Sequence, residues 1–388
     1  MRVLFIEEGY GVGGSTISLH YLMRGLASRG VTGVAWFPAP HAWSERFRDL
    51  GVEVIHGSEA APPEATRSVR SAPPVGWRDS SFYRGLSFYK SHFRDHARQV
   101  REWTGRIQAI RPDIVYGNNA LPLNFAALAA GSTLGLGVMC ALRGLQPIHA
   151  PHRRFGRRLQ FGVAISEVVR RHYLDAGFTP DQIVRVYNGV DLDDYPFADP
   201  RADIPRDGGR LLFLGRLTGW KGAEVMLQAI RILSTRRPLL SAVVAGDGPA
   251  RGDWERMAHD LGISDRIQFV GFQPDVRSLL READLLVHAS TAPEPFGRVL
   301  VEGMAAGLPV VASDHGAAPE IIQSGQTGWL VAPGDPAALA LAIDAGLAAG
   351  AQRVTIARAA RARAEQHFSV EQTAEAVRRL LDSVKIPR

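Results

Sequence analysis

Residues 294–302 read EPFGRVLVE, two glutamates eight positions apart around a Phe-Gly turn. Upstream, the apolar run Leu285-Leu286-Val287 reads as a strand, and Val299, Leu300, Val301 and Met304 mark a helix that starts just after Pro295-Phe296-Gly297. The spacing predicts a strand, a tight loop and a helix. In open α/β sheets ligands collect at the carboxyl ends of strands, where the unpaired N–H groups of a helix start face them. Glu294 then lies in the loop and Glu302 one turn into the helix, both able to face one crevice. A plainer reading is also open: Arg298 and Glu302, four apart, form a surface helix pair worth a few tenths of a kcal/mol, and Glu294 is a solvated loop residue.

The longer string from Glu294 to Ile322, EPFGRVLVEGMAAGLPVVASDHGAAPEII, closely resembles the E-x7-E signature of retaining glycosyltransferases of family 4. A strand at 309–313 and the turn Gly316-Ala317-Ala318 before Pro319-Glu320 continue the match. The second half of the chain opens in the same style. A strand at 211–214 is followed by GRLTGWKG at 215–222, then by a helix from about Ala223 with Val225, Leu227, Ile230 and Leu233 on its apolar face. Arg216 and Lys221 on such a loop suit a diphosphate, since two cations and helix-start N–H groups offset its charge without a metal; two ordinary surface cations are the alternative. This string resembles the family's G-R-L-x-x-x-K-G. The turn Gly246-Asp247-Gly248-Pro249 is also family-like, and residues 267–270 with Gly271-Phe272 resemble the segment whose backbone meets the nucleotide base.

The first half is a looser match. An apolar run at 3–6 leads through Glu7 and Glu8 into the loop Gly9-Tyr10-Gly11-Val12-Gly13-Gly14 and a helix from about Ser15, striped by Leu19, Leu22, Met23 and Leu26. Gly9, Gly11 and Gly14 spell G-x-G-x-x-G, but the acidic residue that holds a ribose in dinucleotide sites is missing. The second strand, 31–37, ends in Trp36-Phe37-Pro38. What remains is a glycine-rich turn that lets backbone approach a phosphate or sugar, and its Gly13-Gly14 pair resembles the family's first loop. Strands at 113–116 and 137–142 flank a helix at 124–130. Here the chain departs from the family: Arg143-Gly144 stands where many members carry His-Gly, and Asn118 and Asn119 occupy the usual His positions after the preceding strand. Residues 163–166, 183–187 and Asn188-Gly189-Val190-Asp191 resemble the exit of the family's first domain. Asp191-Leu192-Asp193 spells the metal-binding D-x-D of a different glycosyltransferase fold. It follows an Asn-Gly turn and leads into a linker-like stretch at 196–209, which argues against that role.

The resemblance implies the GT-B architecture, α/β, with two Rossmann-like domains whose parallel sheets face across a cleft. Residues 1–190 form the acceptor-side domain, 191–369 bind the nucleotide sugar, and a helix at about 370–388 returns to the first domain. The implied reaction moves a hexosyl-type sugar from a UDP- or GDP-sugar to an acceptor hydroxyl, a glycan or lipid-linked precursor, with retention at the anomeric carbon. Glu294, Arg216, Lys221 and Arg143 are the implied catalytic residues. Gly13, Gly14, Phe296, Gly297, Arg298, Glu302, Gly271 and Phe272 are implied at the donor, with Glu302 accepting from the ribose hydroxyls. On the proposed front-side route the leaving phosphate oxygen takes the acceptor proton, so no general base is required. No metal or other cofactor is expected. Two other readings fit the same residues: an inactive member that binds a nucleotide sugar and regulates a partner, and a nucleotide-sugar epimerase on the same fold.

Composition sets the bounds. The 388 residues, 46% hydrophobic and 22% charged, suit two soluble domains. The one cysteine, Cys140, sits in an apolar run and can form neither an internal disulfide nor a cysteine-based zinc site. The start, MRVLFIEEGYG, is too short for a signal-peptide core, and no apolar run approaches the roughly 20 residues of a membrane span, so a cytoplasmic location is expected. Residues 1–190 hold 23 Lys+Arg against 14 Asp+Glu, whereas 191–388 hold 22 against 25. The excess concentrates past a Pro/Ala/Ser-rich loop at 62–74: residues 66–111 carry ten basic and three acidic side chains interleaved with Trp77, Phe82, Tyr83, Phe88, Tyr89, Phe93 and Trp103, and 143–158 add five arginines and no acid. A solvated helix face explains such a run, as does an anionic membrane surface or lipid acceptor at the inner face of the cell membrane. No motif supports nucleic acid as a partner. Helical patterns at 352–366 and 370–383 complete the chain.

Overall fold

The computed structural model describes residues 1–9, 13–57 and 81–385, and of residues 81–95 the helix alone. They divide into two compact units. The first takes the described residues of Met1–Ile165, Val169–Val186 and Ala374–Arg388, and the second takes Ser166–Val168 and Tyr187–Thr373.

Each unit is built on a parallel sheet. In the first, β1 (Arg2–Ile6), β2 (Thr32–Phe37), β3 (Glu53–His56), β4 (Ile114–Gly117), β5 (Gly137–Leu142), β6 (Phe161–Ala164) and β7 (Ile183–Arg185) lie in the order β3-β2-β1-β4-β5-β6-β7. In the second, β8 (Gly208–Leu214), β9 (Leu239–Ala245), β10 (Ile267–Gly271), β11 (Leu285–His288), β12 (Val310–Ser313) and β13 (Trp329–Val331) lie in the order β10-β9-β8-β11-β12-β13. Parallel strands are covered on both faces, so they read as unbroken apolar runs. Val3, Leu4, Phe5 and Ile6 of β1 are fully buried, as are Val310, Val311 and Ala312 of β12. Cys140 is fully buried in β5, where burial pushes its thiol well above the ordinary range; it packs as a small apolar residue.

In both sheets the order of travel reverses once at the centre, between β1 and β4 and between β8 and β11. Such switch points open a crevice outside the carboxyl ends of the two central strands. The loops after β1, β4, β8 and β11 are therefore the places to look for a site.

Local bonds explain how the chain is shared out. Ser166–Val168 belong with the second unit because the Ser166 hydroxyl donates to Pro295 O (2.6 Å) and the Glu320 carboxylate accepts from the N–H groups of Glu167 (2.7 Å) and Val168 (2.9 Å). Residues 187–190 join it as Thr373 Oγ1 donates to Tyr187 O and Val190 N–H to Phe368 O, both at 2.8 Å. The last helix, Val370–Ser383, spaces Ala374, Val377 and Leu381 along one stripe, and with Val384 they are buried in the first unit's core beside Val3, Ile114 and Met139.

The loop expected at 62–74 and the aromatic side chains from Trp77 to Phe93 lie outside the described residues. Trp103, grouped with them as a surface aromatic, is corrected by the structure. It is 4% exposed on the helix Ser81–Ile110, with its ring centroid 4.6 Å from that of Trp36, and is not available to a lipid surface. The four arginines Arg153, Arg154, Arg157 and Arg158 are exposed on and just after the short helix Ala150–Gly156. Among the described residues no single helix is long and apolar enough to cross a membrane.

Candidate active site

In the second unit the loops after β8 and β11 are locked together by their backbones. Gly222 holds φ +72°, and a Cβ there would stand 1.9 Å from Ala289 O; next to it Thr291 N–H donates to Trp220 O at 2.8 Å. Only glycine allows this approach. On the other side Gly316, φ +62°, leaves a Cβ no room, since it would lie 2.3 Å from Glu294 N and 2.4 Å from Glu294 O, and Ala317 N–H donates to Glu294 O at 2.9 Å. The backbone of Glu294 is thus gripped by the turn after β12. Gly297 caps the helix Arg298–Ala306, which carries Glu302 in its second turn.

The side chains converge on this frame. Lys221 Nζ lies 2.5 Å from Glu294 Oε2, and the same oxygen is 3.3 Å from His288 Nε2 and accepts from Ser290 Oγ at 3.4 Å. All are largely buried: the side chains of Lys221, Glu294 and His288 are 15%, 12% and 4% exposed. Burial alone raises the Glu294 carboxyl pKa, but the His288 hydrogen bond and the Lys221 charge outweigh it and hold the group at about 2. Glu294 is a charged carboxylate at neutral pH. Arg298 and Glu302 pair at 2.9 Å with side chains only 11% and 9% exposed, so they are not the solvated surface pair of the plainer reading.

Other predicted site residues lie in the same unit. Arg216 is exposed immediately after Gly215, with no side-chain hydrogen bond or ion pair among the described residues. Gly271 closes β10, its carbonyl accepting Gly246 N–H at 2.8 Å, and Phe272 beyond it is 64% exposed. Phe296 is 3% exposed and packs near Tyr187 and Phe368, so what it offers a ligand is its backbone. Asp191 is buried and turns its Oδ1 to Asp193 N–H at 3.1 Å, closing a local turn.

The first unit gathers a second polar cluster at its own switch point. Glu7 is fully buried, its carboxylate accepting from Asn118 Nδ2, Asn119 Nδ2 (2.5 Å) and Ser15 Oγ (3.0 Å). Arg143 Nε donates to Asn118 O (2.5 Å) and Nη2 to Asn118 Oδ1 (2.9 Å). The two asparagines that replace the family histidines therefore hold a buried acid on one side, and Asn118 holds Arg143 on the other. Gly13 caps and Gly14 begins the helix Gly14–Ala27. Glu8 faces away from Glu7, as successive residues of extended backbone do, into a cavity of about 260 Å³ lined also by Trp36, Gln99, Glu102, Trp103 and Arg106. Burial raises its carboxyl to about 7, with Arg106 opposing the shift and Glu7 adding to it.

Sequence reasoning missed His288, Ser290, Glu7 and Glu8. A histidine closing an otherwise apolar strand at the mouth of a predicted loop was the available signal for His288.

Two doubly wound parallel sheets, with cations and carboxylates gathered at the switch point of the second, are the architecture of the GT-B glycosyltransferases. The chain belongs to this family: the model described as "Glycosyltransferase Family 4" matches residues 12–194, and that described as "Glycosyl transferases group 1" matches 195–363. It is 37% identical over 192 residues to D-inositol 3-phosphate glycosyltransferase of Streptomyces scabiei, covering 45% of this chain and 42% of that protein. It is 36% identical over 185 residues to phosphatidyl-myo-inositol mannosyltransferase of Mycobacterium leprae, covering 47% and 48%. The chain thus spans about half the length of the curated relatives it matches. Among solved structures, Anabaena Alr3699/HepE in complex with UDP-glucose superposes with a TM-score of 0.76 over 99% of this chain and 100% of that one, at 23% identity.

Proposed function

We propose that the protein transfers a hexosyl-type sugar from a UDP- or GDP-sugar to an acceptor hydroxyl with retention of anomeric configuration. The observation that carries this is the Lys221–Glu294–His288 cluster at the β8/β11 switch point, beside the buried Arg298–Glu302 pair. As the bond between sugar and diphosphate stretches, positive charge grows on the anomeric carbon and negative charge on the leaving phosphate. Lys221 and the exposed Arg216 meet the phosphate, and stabilisation that grows along the reaction lowers the barrier. Two side-chain cations make binding independent of a metal ion. Glu294, kept ionised, accepts from hydroxyls of the sugar, and Glu302 from the ribose. The acceptor proton leaves with the departing phosphate oxygen.

The acceptor is proposed to be a glycan precursor or a lipid-linked polyol presented at the inner face of the membrane. The names of the relatives, which include inositol phosphate and phosphatidylinositol acceptors, support this class, as does the basic excess of the first 190 residues. The test is a panel of UDP- and GDP-sugars offered with a chelator present, read by melting shift and by release of free sugar. One donor should stabilise the protein and be slowly hydrolysed; activity that needs added magnesium or manganese overturns the metal-independent reading, and interconversion of the sugar on the nucleotide indicates an epimerase.

A further inference from the structure

The cluster contains a conflict that the proposed function leaves unexplained. Lys221 is assigned to the donor's diphosphate, yet its ammonium lies 2.5 Å from Glu294 Oε2. Each interaction weakens the other, because a cation shared between two anions gives less to each. We propose that Glu294 and the diphosphate compete for Lys221, and that His288 sets the outcome by holding Glu294 from its other side. His288 is thus a positioning residue for donor binding. The inference rests on the reading of this site as a nucleotide-sugar site.

Three observations carry it. His288 Nε2 is 3.3 Å from the same oxygen that Lys221 contacts, so the carboxylate keeps a partner when the ammonium turns away. His288 Nδ1 is buried with no hydrogen-bond partner among the described residues, so the polar contacts of the ring in that set lie on the Nε2 side. An N–H on Nε2 is the one that has acceptors in reach, Glu294 Oε2 and the neighbouring Ser290 Oγ, 3.4 Å away. Finally, the backbone on which Glu294 and His288 sit is held in place. β11 pairs His288 with Ala312 of β12, and Gly316 and Ala317 grip the backbone of Glu294. The Lys221 side chain can turn away: it is a flexible four-carbon stem whose tip lies 4.4 Å from the centroid of the Trp220 ring.

A diphosphate alone probes the competition, so UDP and GDP are titrated calorimetrically into four forms of the full chain. Glu294→Gln removes the competing charge and should bind the nucleotide several-fold more tightly than the parent, even though it transfers sugar poorly. His288→Leu leaves Glu294 dependent on Lys221 and should bind about tenfold more weakly. His288→Gln restores an N–H donor and should recover affinity to within about twofold. In the Glu294→Gln background, His288→Leu should have no further effect, since the group it positions has lost its charge. Weaker or unchanged nucleotide binding by Glu294→Gln overturns the competition. An undiminished His288→Leu effect in the double variant shows that the histidine acts through the fold instead, and overturns its role. Failure of the parent to bind either nucleotide is a different result: it removes the nucleotide-sugar reading, and this inference with it.

Discussion

Lys221 and Glu302 sit on the same edge of one sheet, but their surroundings assign them different work. In the proposed reaction Lys221 meets charge that grows as the donor breaks, so Lys221→Ala should lower kcat by about 100-fold, more than it weakens donor affinity. Glu302 is held by Arg298, and on the proposed reading it accepts from a ribose that does not change during reaction, so Glu302→Gln should mainly raise donor KM. Steady-state kinetics separate the two, and equal loss of affinity in both variants contradicts the assignment. Glu8 offers a test in the first unit. Its folded pKa is near 7 against about 4.5 for the free side chain, so the folded state disfavours the carboxylate. Stability is full below pH 4.5 and falls by up to about 3 kcal/mol as pH rises through 7. Glu8→Gln should leave Tm near the parent's at pH 4.5 and raise it at pH 8. Neither glutamate of the first switch point could be told apart from sequence: Glu7 and Glu8 are adjacent and identical, and only the alternation of extended backbone sends one into a hydrogen-bonded core and the other into a cavity.

Elements were legible where burial dictates the residue type. Strands covered on both faces need unbroken apolar runs, and β5 and the helix Val370–Ser383 fall where the sequence predicts them. The helix Pro336–Ala348 escaped because its alanine-rich sequence, PAALALAIDAGLA, shows no apolar stripe, although Asp335, accepting from the N–H groups of Ala337 and Ala338 at 2.9 Å, is a clear start signal before Pro336. The helix Gln352–His367 misleads in another way. Its helical pattern gives no sign of a buried charge, yet Arg353 is fully buried, donating to the carbonyls of Gly346 (2.5 Å), Arg201 (3.1 Å) and Asp284. That guanidinium ties the helix to the start of β11, to the loop before β8 and to the helix Pro336–Ala348. Arg353→Met keeps the bulk but strands these carbonyls, and should cost about 3 kcal/mol or more in denaturant unfolding. A loss below about 1 kcal/mol indicates that water replaces the arginine and that the helix is anchored elsewhere.

For the whole molecule, charge rather than fold speaks to the partner. The exposed arginines Arg153, Arg154, Arg157 and Arg158 belong to the first unit, whereas Trp103 is buried and contributes nothing to a surface. Cations near an anionic leaflet contribute about 1 kcal/mol each, so on the proposed membrane-presented acceptor these four would give reversible docking that salt weakens. Sedimentation with anionic and neutral vesicles should show binding to the anionic ones alone, lost at high salt. Charge reversal at all four should abolish it, and equal binding to both vesicle types contradicts a docking role. This part of the account owes least to motif reading, because an arginine cluster looks the same in sequence whether it faces a lipid or water.

The central claim is that the second unit activates a nucleotide sugar for transfer with retention. The most direct measurement is the proton NMR spectrum of the sugar at the first turnovers, taken with a chelator present and with the α-linked donor that the panel selects. The account predicts that the transferred or hydrolysed sugar appears first as the α anomer, with equimolar nucleoside diphosphate, and that Lys221→Ala suppresses both. A β anomer as the first product contradicts it.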